Sequence, residues 1–244
     1  MSYAKIAGAN LYTVAKRNGV AMRTIAKYGA LSNINSGLIG WWKFDEASGT
    51  SAVDSSGSGL TGTLVNNPLW VAGQINSALD FNGTSGDLNG SRVEFGAGLN
   101  MGSGDFTMAA WINRDSVTGV RGIIGTRSVG GAGFYVYEDS GLQYLYLERT
   151  NATDTGSPAL TITAGTWYHA AVVMNRTAAS VTFYLNGVAS AATSYDAVAF
   201  TDKTDRIGSY GDGEMFDGKI DDARIYNRAL SADDIAALYA VTAP

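Results

Sequence analysis

The 244-residue chain has no cysteine and a single histidine, His169. The first absence removes disulfide scaffolds, thiol nucleophiles and every Cys-ligated zinc or iron–sulfur site. The second removes two- and three-histidine metal centres, so any Ser-His-Asp arrangement would rest on His169 alone. That residue sits in the strand-like run Trp-Tyr-His-Ala-Ala-Val with no identifiable partner nucleophile, and it reads as a packed structural residue. Proline is scarce, at 3 residues, and charged residues make up only 16 %. No run of 18 apolar residues occurs, so no membrane span is expected. Lys16, Arg17 and Arg23 interrupt the early apolar residues, so no secretory signal is read there.

Glycine, by contrast, is plentiful at 31 residues, beside 45 % apolar and 11 % aromatic residues. Much glycine with little proline points to tight turns between short strands, and the apolar share is ample for a core. The length suits one large all-β unit.

Charge divides the chain. Residues 1–36 hold Lys5, Lys16, Arg17, Arg23 and Lys27 and no acid, a charge of +5, whereas residues 37–244 carry −10. A body of that sign does not attract phosphate, so no specific nucleic-acid partner is expected. Residues 1–36 read as a basic anchoring arm and 37–244 as the folded domain. Within the arm, Thr13-Val14-Ala15-Lys16 recurs as Thr24-Ile25-Ala26-Lys27 on either side of Asn18-Gly19. That dipeptide suits the positive φ angles of a type I′ turn, so a hairpin over 11–17 and 20–27 is expected. Two strands alone cannot bury Leu11, Tyr12, Val14, Val20 and Ile25. These residues, with Lys16, Arg17 and Arg23, are the expected contacts to other copies of the chain or to a partner protein.

From Gly37 onward the apolar residues follow a period of two. Tyr144-Leu145-Tyr146-Leu147 puts tyrosines on one face and leucines on the other. Strands are predicted at 38–44, 78–82, 92–95, 106–114, 121–126, 134–137, 142–148, 167–175, 180–185, 206–207 and 219–227. Asn186-Gly187 marks a second hairpin. Ser231 as N-cap, with Asp234 three residues on, opens a short helix over 232–240 that carries Ile235, Leu238 and Tyr239. The pattern predicts an all-β fold of two antiparallel sheets packed face to face, with one C-terminal helix.

Several stretches resemble one family in order. They are Gly37-Leu38-Ile39-Gly40-Trp41-Trp42-Lys43-Phe44-Asp45-Glu46, Ala78-Leu79-Asp80-Phe81-Asn82-Gly83, Asp105-Phe106-Thr107, Gly165-Thr166-Trp167-Tyr168-His169 and Gly218-Lys219-Ile220-Asp221-Asp222-Ala223-Arg224-Ile225-Tyr226-Asn227-Arg228-Ala229-Leu230-Ser231. Together, over about 37–241, they are similar to concanavalin A-like, laminin-G-like jelly-roll domains. The resemblance implies a jelly-roll sandwich with Trp41, Phe44, Phe81, Phe106, Trp111, Trp167, Phe183 and Ile225 on inner sheet faces. It also implies one structural calcium ion between an early loop and the closing strand, which here means Asp54 and Asp221, and no organic cofactor. The family spans lectins, glycosidases and adhesion modules, so fold alone does not give function. Its hydrolase branch carries Glu-x-Asp-x-x-Glu on a strand. The five glutamates here, at 46, 94, 138, 148 and 214, do not fit that pattern, so no enzyme is expected. Glycan binding would draw on Tyr135, Tyr137, Tyr144, Tyr146 and Tyr210, unless these lie in the core. Tyr210 and Asp212 are the candidate glycan contacts.

These observations lead to the expectation of a non-enzymatic virion surface protein of bacteriophage decoration, head-fibre or tail-fibre type. It would be made in the host cytoplasm, dock through its arm on other virion proteins or its own copies, and display the jelly roll to cell-surface glycans. The alternatives are a free bacterial carbohydrate-binding module and, third, a glycoside hydrolase.

Overall fold

A computed structural model of the chain describes residues 4–6, 9–11, 34–84, 89–96, 103–126, 132–149, 155–195, 205–210 and 213–243. Strand alternation decides its architecture. Within Phe106–Arg114, Phe106, Met108, Ala110 and Ile112 point one way and join Ala170, Val172 and Met174 of Trp167–Asn175 in the main core. Phe134 and Val136 of Ala132–Asp139 meet Leu145 and Leu147 of Leu142–Arg149 from the opposite sheet. Two such faces can leave water only by packing on each other. The result is an eight-stranded and a nine-stranded antiparallel sheet around one core. Aromatic contacts fix the middle of it, with the Trp42 and Phe95 rings 4.2 Å apart and Phe81 edge-on to Phe216 at 6.4 Å.

The nine-stranded sheet is covered on its outer face as well, so every residue of Phe106–Arg114 is buried. Its cover is the helix Ala232–Thr242, whose Ile235 and Leu238 pack with Ala109, Ala171, Val173, Tyr184 and Tyr226. The capping box read from the sequence is present: Ser231 Oγ accepts from the Asp234 amide, and the Asp234 carboxylate accepts from the Ser231 amide, both at 3.1 Å. Asn186 and Gly187, with φ of 51° and 78°, make the expected hairpin turn into Val188–Ala189. Ser140 and Gly141 (φ 53° and 84°) make a similar turn that the sequence reading passed over.

The structure departs from expectation in three places. Trp41 is not a core residue, because its neighbour Trp42 takes the inward position and strand alternation sends Trp41 outward. Trp111 is buried but faces the helix, and Trp167 is only partly buried and lies outside the core. Ile34 is 1 % exposed in the cluster beneath the helix, so the folded body begins no later than Ile34 rather than at 37. In the arm, Ala4–Ile6 pairs antiparallel with Ala9–Leu11. The hairpin expected over 11–17 and 20–27 falls outside the described residues beyond Leu11, and so do Tyr12, Val14, Lys16, Arg17, Val20, Arg23 and Ile25.

Ser231→Ala removes half of the capping box. The expected cost is about 1 kcal/mol, seen in a thermal melt as a midpoint lower by roughly 2–4 °C. An unchanged melt would show that the cap does not hold the helix on the sheet.

Candidate functional site

The outward face of the eight-stranded sheet is aromatic. Tyr135 and Tyr137 stand opposite Tyr146 and Tyr144 in register, on the side of the sheet away from Phe134, Val136, Leu145 and Leu147. Tyr210 joins them from the short hairpin of Ser209–Tyr210 with Glu214–Met215. Its ring lies across a floor of glycines. A Cβ on Gly133 would come within 2.0 Å of the Tyr210 ring, and one on Gly122 within 2.1 Å of the Tyr210 backbone nitrogen. Only glycine at these two positions lets Tyr210 settle there.

Tyr135 stacks on Tyr146 at 5.4 Å and on Tyr210 at 5.1 Å, each with 14° between ring planes. Tyr146 pairs with Tyr135 from the strand on one side, and Gly122, against which Tyr210 lies, pairs with it from the strand on the other. The three rings therefore stand edge-up across the strands, with both faces of Tyr135 covered and only 5 % of the residue exposed. Tyr137 meets Tyr146 edge to face at 5.6 Å, and Tyr144 lies 6.5 Å from Tyr137. These last two are half-buried and extend the stack toward the 140–141 turn. Further across the same face, the Glu94 carboxylate is gripped by Arg92 at 2.7 Å and Arg206 at 3.0 Å. Such charge-assisted contacts fix side-chain geometry more firmly than neutral ones.

Of the expected site residues, Tyr210 is at the heart of this face, and Asp212 lies outside the described residues. Asp54 and Asp221 each have protein partners of their own. Asp54 closes its own loop, with Oδ1 accepting from the amides of Trp41 and Ser56 and Oδ2 from the Ser56 hydroxyl and the Leu60 amide. Although burial opposes it, these bonds hold the carboxyl below its ordinary range. Asp221 is fully buried beside the 73–76 turn, where Oδ2 accepts from the Ile75 amide at 2.8 Å. Burial, opposed by that hydrogen bond and aided by the neighbouring Asp222, raises its pKa to about 7. The Asp54 carboxylate is already met by four protein donors, which leaves it poorly placed to share a calcium ion with Asp221, since calcium takes six to eight oxygens. Among the described residues, no group of three or more His, Asp or Glu side chains is placed to hold a metal. His169 is also buried, between Trp111 and Tyr239, and burial, helped by Arg224, lowers its pKa to about 3. A base sealed beneath the helix reaches no substrate.

Against known families, residues 86–236, more than half of the chain, match the model of the concanavalin A-like lectin/glucanases superfamily. The chain belongs to that superfamily, in its laminin-G-like branch. No curated protein matches the sequence. Similar solved structures include domain 4 of an extracellular arabinanase from Geobacillus stearothermophilus, solved with arabinotriose. It shares 21 % identity at a TM-score of 0.66, over 83 % of this chain and 98 % of that domain. A structure of botulinum neurotoxin type C, whose cell entry depends on interaction with two ganglioside molecules, gives 16 % and 0.66 over 88 % of this chain and 53 % of its own. A Trypanosoma rangeli sialidase gives 18 % and 0.60 over 84 % and 32 %. The chain thus spans about half of the toxin structure and a third of the sialidase. At these identities the likeness is one of fold.

Two buried titratable groups, Asp221 and His169, make opposite demands on pH. Asp221, its pKa raised from 3.8 to about 7, stabilises the fold at low pH and loses that contribution as pH rises through this window. His169, lowered from 6.5 to about 3, contributes above 6.5 and loses it as pH falls. Between pH 4 and 6.5 the slopes oppose each other, so the contributions of these two groups largely cancel in the wild type. Asp221→Asn should then lose stability on acidification and His169→Phe on alkalinisation, each by up to about 1.4 kcal/mol per pH unit. Urea melts across that range check this, and parallel profiles for the two variants would refute it.

Proposed function

We propose that the protein is a non-catalytic carbohydrate-binding jelly roll whose contact surface is the tyrosine face. The carrying observation is five tyrosines from three chain segments gathered on one outward sheet face, with Tyr210 and Tyr146 seated against glycines that have no room for a side chain. Half-exposed phenols offer sugar C–H groups an apolar surface and sugar hydroxyls a hydrogen-bonding tip. The fold-level neighbours, one solved in complex with arabinotriose and one dependent on gangliosides for cell entry, support a sugar ligand.

The same face argues against hydrolysis. The two glutamates that the strands of the eight-stranded sheet turn outward, Glu94 and Glu148, sit four strands apart, about 19 Å at ~4.8 Å per strand. Glycosidases need their carboxyls about 5–5.5 or 6.5–9.5 Å apart. Among the described residues no helix is long and apolar enough to cross a membrane.

The finer reading is display on a virion, with the N-terminal arm as attachment. The contrast of +5 in residues 1–36 against −10 in the remainder supports it. Deleting residues 1–33, which spares Ile34, should leave the melting temperature of the body nearly unchanged and abolish attachment to particles or oligomers. Normal assembly without them would remove the arm from this account.

Tyr137→Ala with Tyr144→Ala should weaken binding of arabinotriose or ganglioside oligosaccharides at least about tenfold, ~1.4 kcal/mol. Tyr135→Ala, which opens the stack, should chiefly lower stability. Calorimetric titration of the variants decides the matter. Unchanged affinity in the double variant, or release of reducing sugar by the wild type, would overturn the proposal.

A further inference from the structure

The nine-stranded sheet carries a second concave feature that the tyrosine face does not explain. Beside the end of the helix lies a cleft of about 300 Å³ whose walls include Trp41, Lys43, Asp45, Ile75, Arg224 and Val241. Its indole is held from beneath. Arg224 stands opposite Trp41 in register, with its guanidinium carbon 4.2 Å from the ring centroid. Asp222 accepts two hydrogen bonds of 3.1 Å from Arg224 and the Trp41 Nε1–H at 2.6 Å. Arg224 and Asp222 are 5 % and 4 % exposed, so this bracket is rigid and internally neutralised.

The rim differs. Lys43 and Asp45 follow Trp41 at spacings of two and four residues and carry one charge of each sign. Lys43 Nζ rests 4.3 Å from the centroid of the indole ring. Exposed Asp45 accepts only a long bond, 3.2 Å, from Asn76 Nδ2. An exposed cation–π contact is worth about 0.5–1 kcal/mol, little enough for a ligand to displace. Ile75 and Val241 supply apolar walls.

We propose that this cleft is a second binding site, independent of the tyrosine face, for one sugar ring of a neutral glycan. The ring's C–H face replaces Lys43 over Trp41, and two adjacent hydroxyls bridge the rim, one donating to Asp45 and the other accepting from Lys43. An ammonium and a carboxylate lining one cleft can together meet a vicinal diol, since each hydroxyl both donates and accepts. A cationic ligand would confront Lys43 and an anionic one Asp45. The volume is at the small end of ligand sites, about 300–1,000 Å³, and suits a single ring rather than a chain.

The test uses the full chain labelled with 5-fluorotryptophan, the Trp41 signal being assigned by its loss in Trp41→Phe. Fluorine spectra are recorded during titration with arabinotriose, lactose and 3′-sialyllactose. The expected result is a saturable shift of the Trp41 signal with at least one neutral sugar. Asp45→Asn, a surface change, should weaken it about tenfold. The Tyr137→Ala, Tyr144→Ala protein should titrate at Trp41 as the wild type does, which separates this site from the tyrosine face. No Trp41 shift with either neutral sugar, a shift with the sialylated sugar alone, or full affinity in Asp45→Asn would each overturn the proposal.

Discussion

One extra residue in the closing strand sets the aim of everything on the nine-stranded sheet. Asp217–Tyr226 runs in regular pairing with Phe106–Arg114 until Asp221 and resumes at Arg224, with Asp222 at a φ of 46°. Before this bulge Ile220 points inward, and after it Ala223 and Ile225 do. Without the insertion, strict alternation would drive Asp222 and Arg224 into the core, at a cost of several kcal/mol per unpaired charge. With it, the pair turns outward and braces Trp41. A bulge that re-aims a side chain is a common device beside binding sites.

The two sheets then handle their outer faces differently. On one, a helix covers the central strands and leaves its polar bracket at the margin, by the last turn. On the other, Tyr210 folds back over a strip without side chains and completes an aromatic layer that only glycine could admit. Both arrangements use rigid strands to hold aromatic rings, which suits ligands with little charge, because position rather than Coulomb attraction must then supply selectivity.

Much of this was legible in the sequence, and the limits have physical causes. Period-two patterning gave the bounds of Arg92–Phe95, Phe106–Arg114, Arg121–Thr126, Trp167–Asn175 and Ser180–Leu185 without adjustment. Ser231 and Asp234 announced the helix because a capping box is a local interaction. The strands Gly62–Val65 and Leu69–Ala72 were missed, since turn residues crowd them and cross-strand partners, not their own composition, keep them extended. The tyrosines were visible as alternating residues, but which face met water depended on long-range pairing. The tandem Trp41-Trp42 was read with Trp41 inward: one of the two had to face outward, and the register with Ala223 and Arg224 chose Trp41. Pairing Asp54 with Asp221 followed a family expectation and overlooked the Ser56 and Leu60 donors that close the Asp54 loop.

The way the chain enters and leaves the sandwich has a modular consequence. Ile34 and Leu238 share one apolar cluster, the Asn227 amide donates to the Gly37 carbonyl, and Arg228 donates to the Ser36 carbonyl. Entry and the helix that leads to the exit thus share one edge of the domain. A polypeptide could detour through this jelly roll and resume its course almost where it left, so the unit can be spliced into a host loop, strung in tandem or circularly permuted without re-threading a strand.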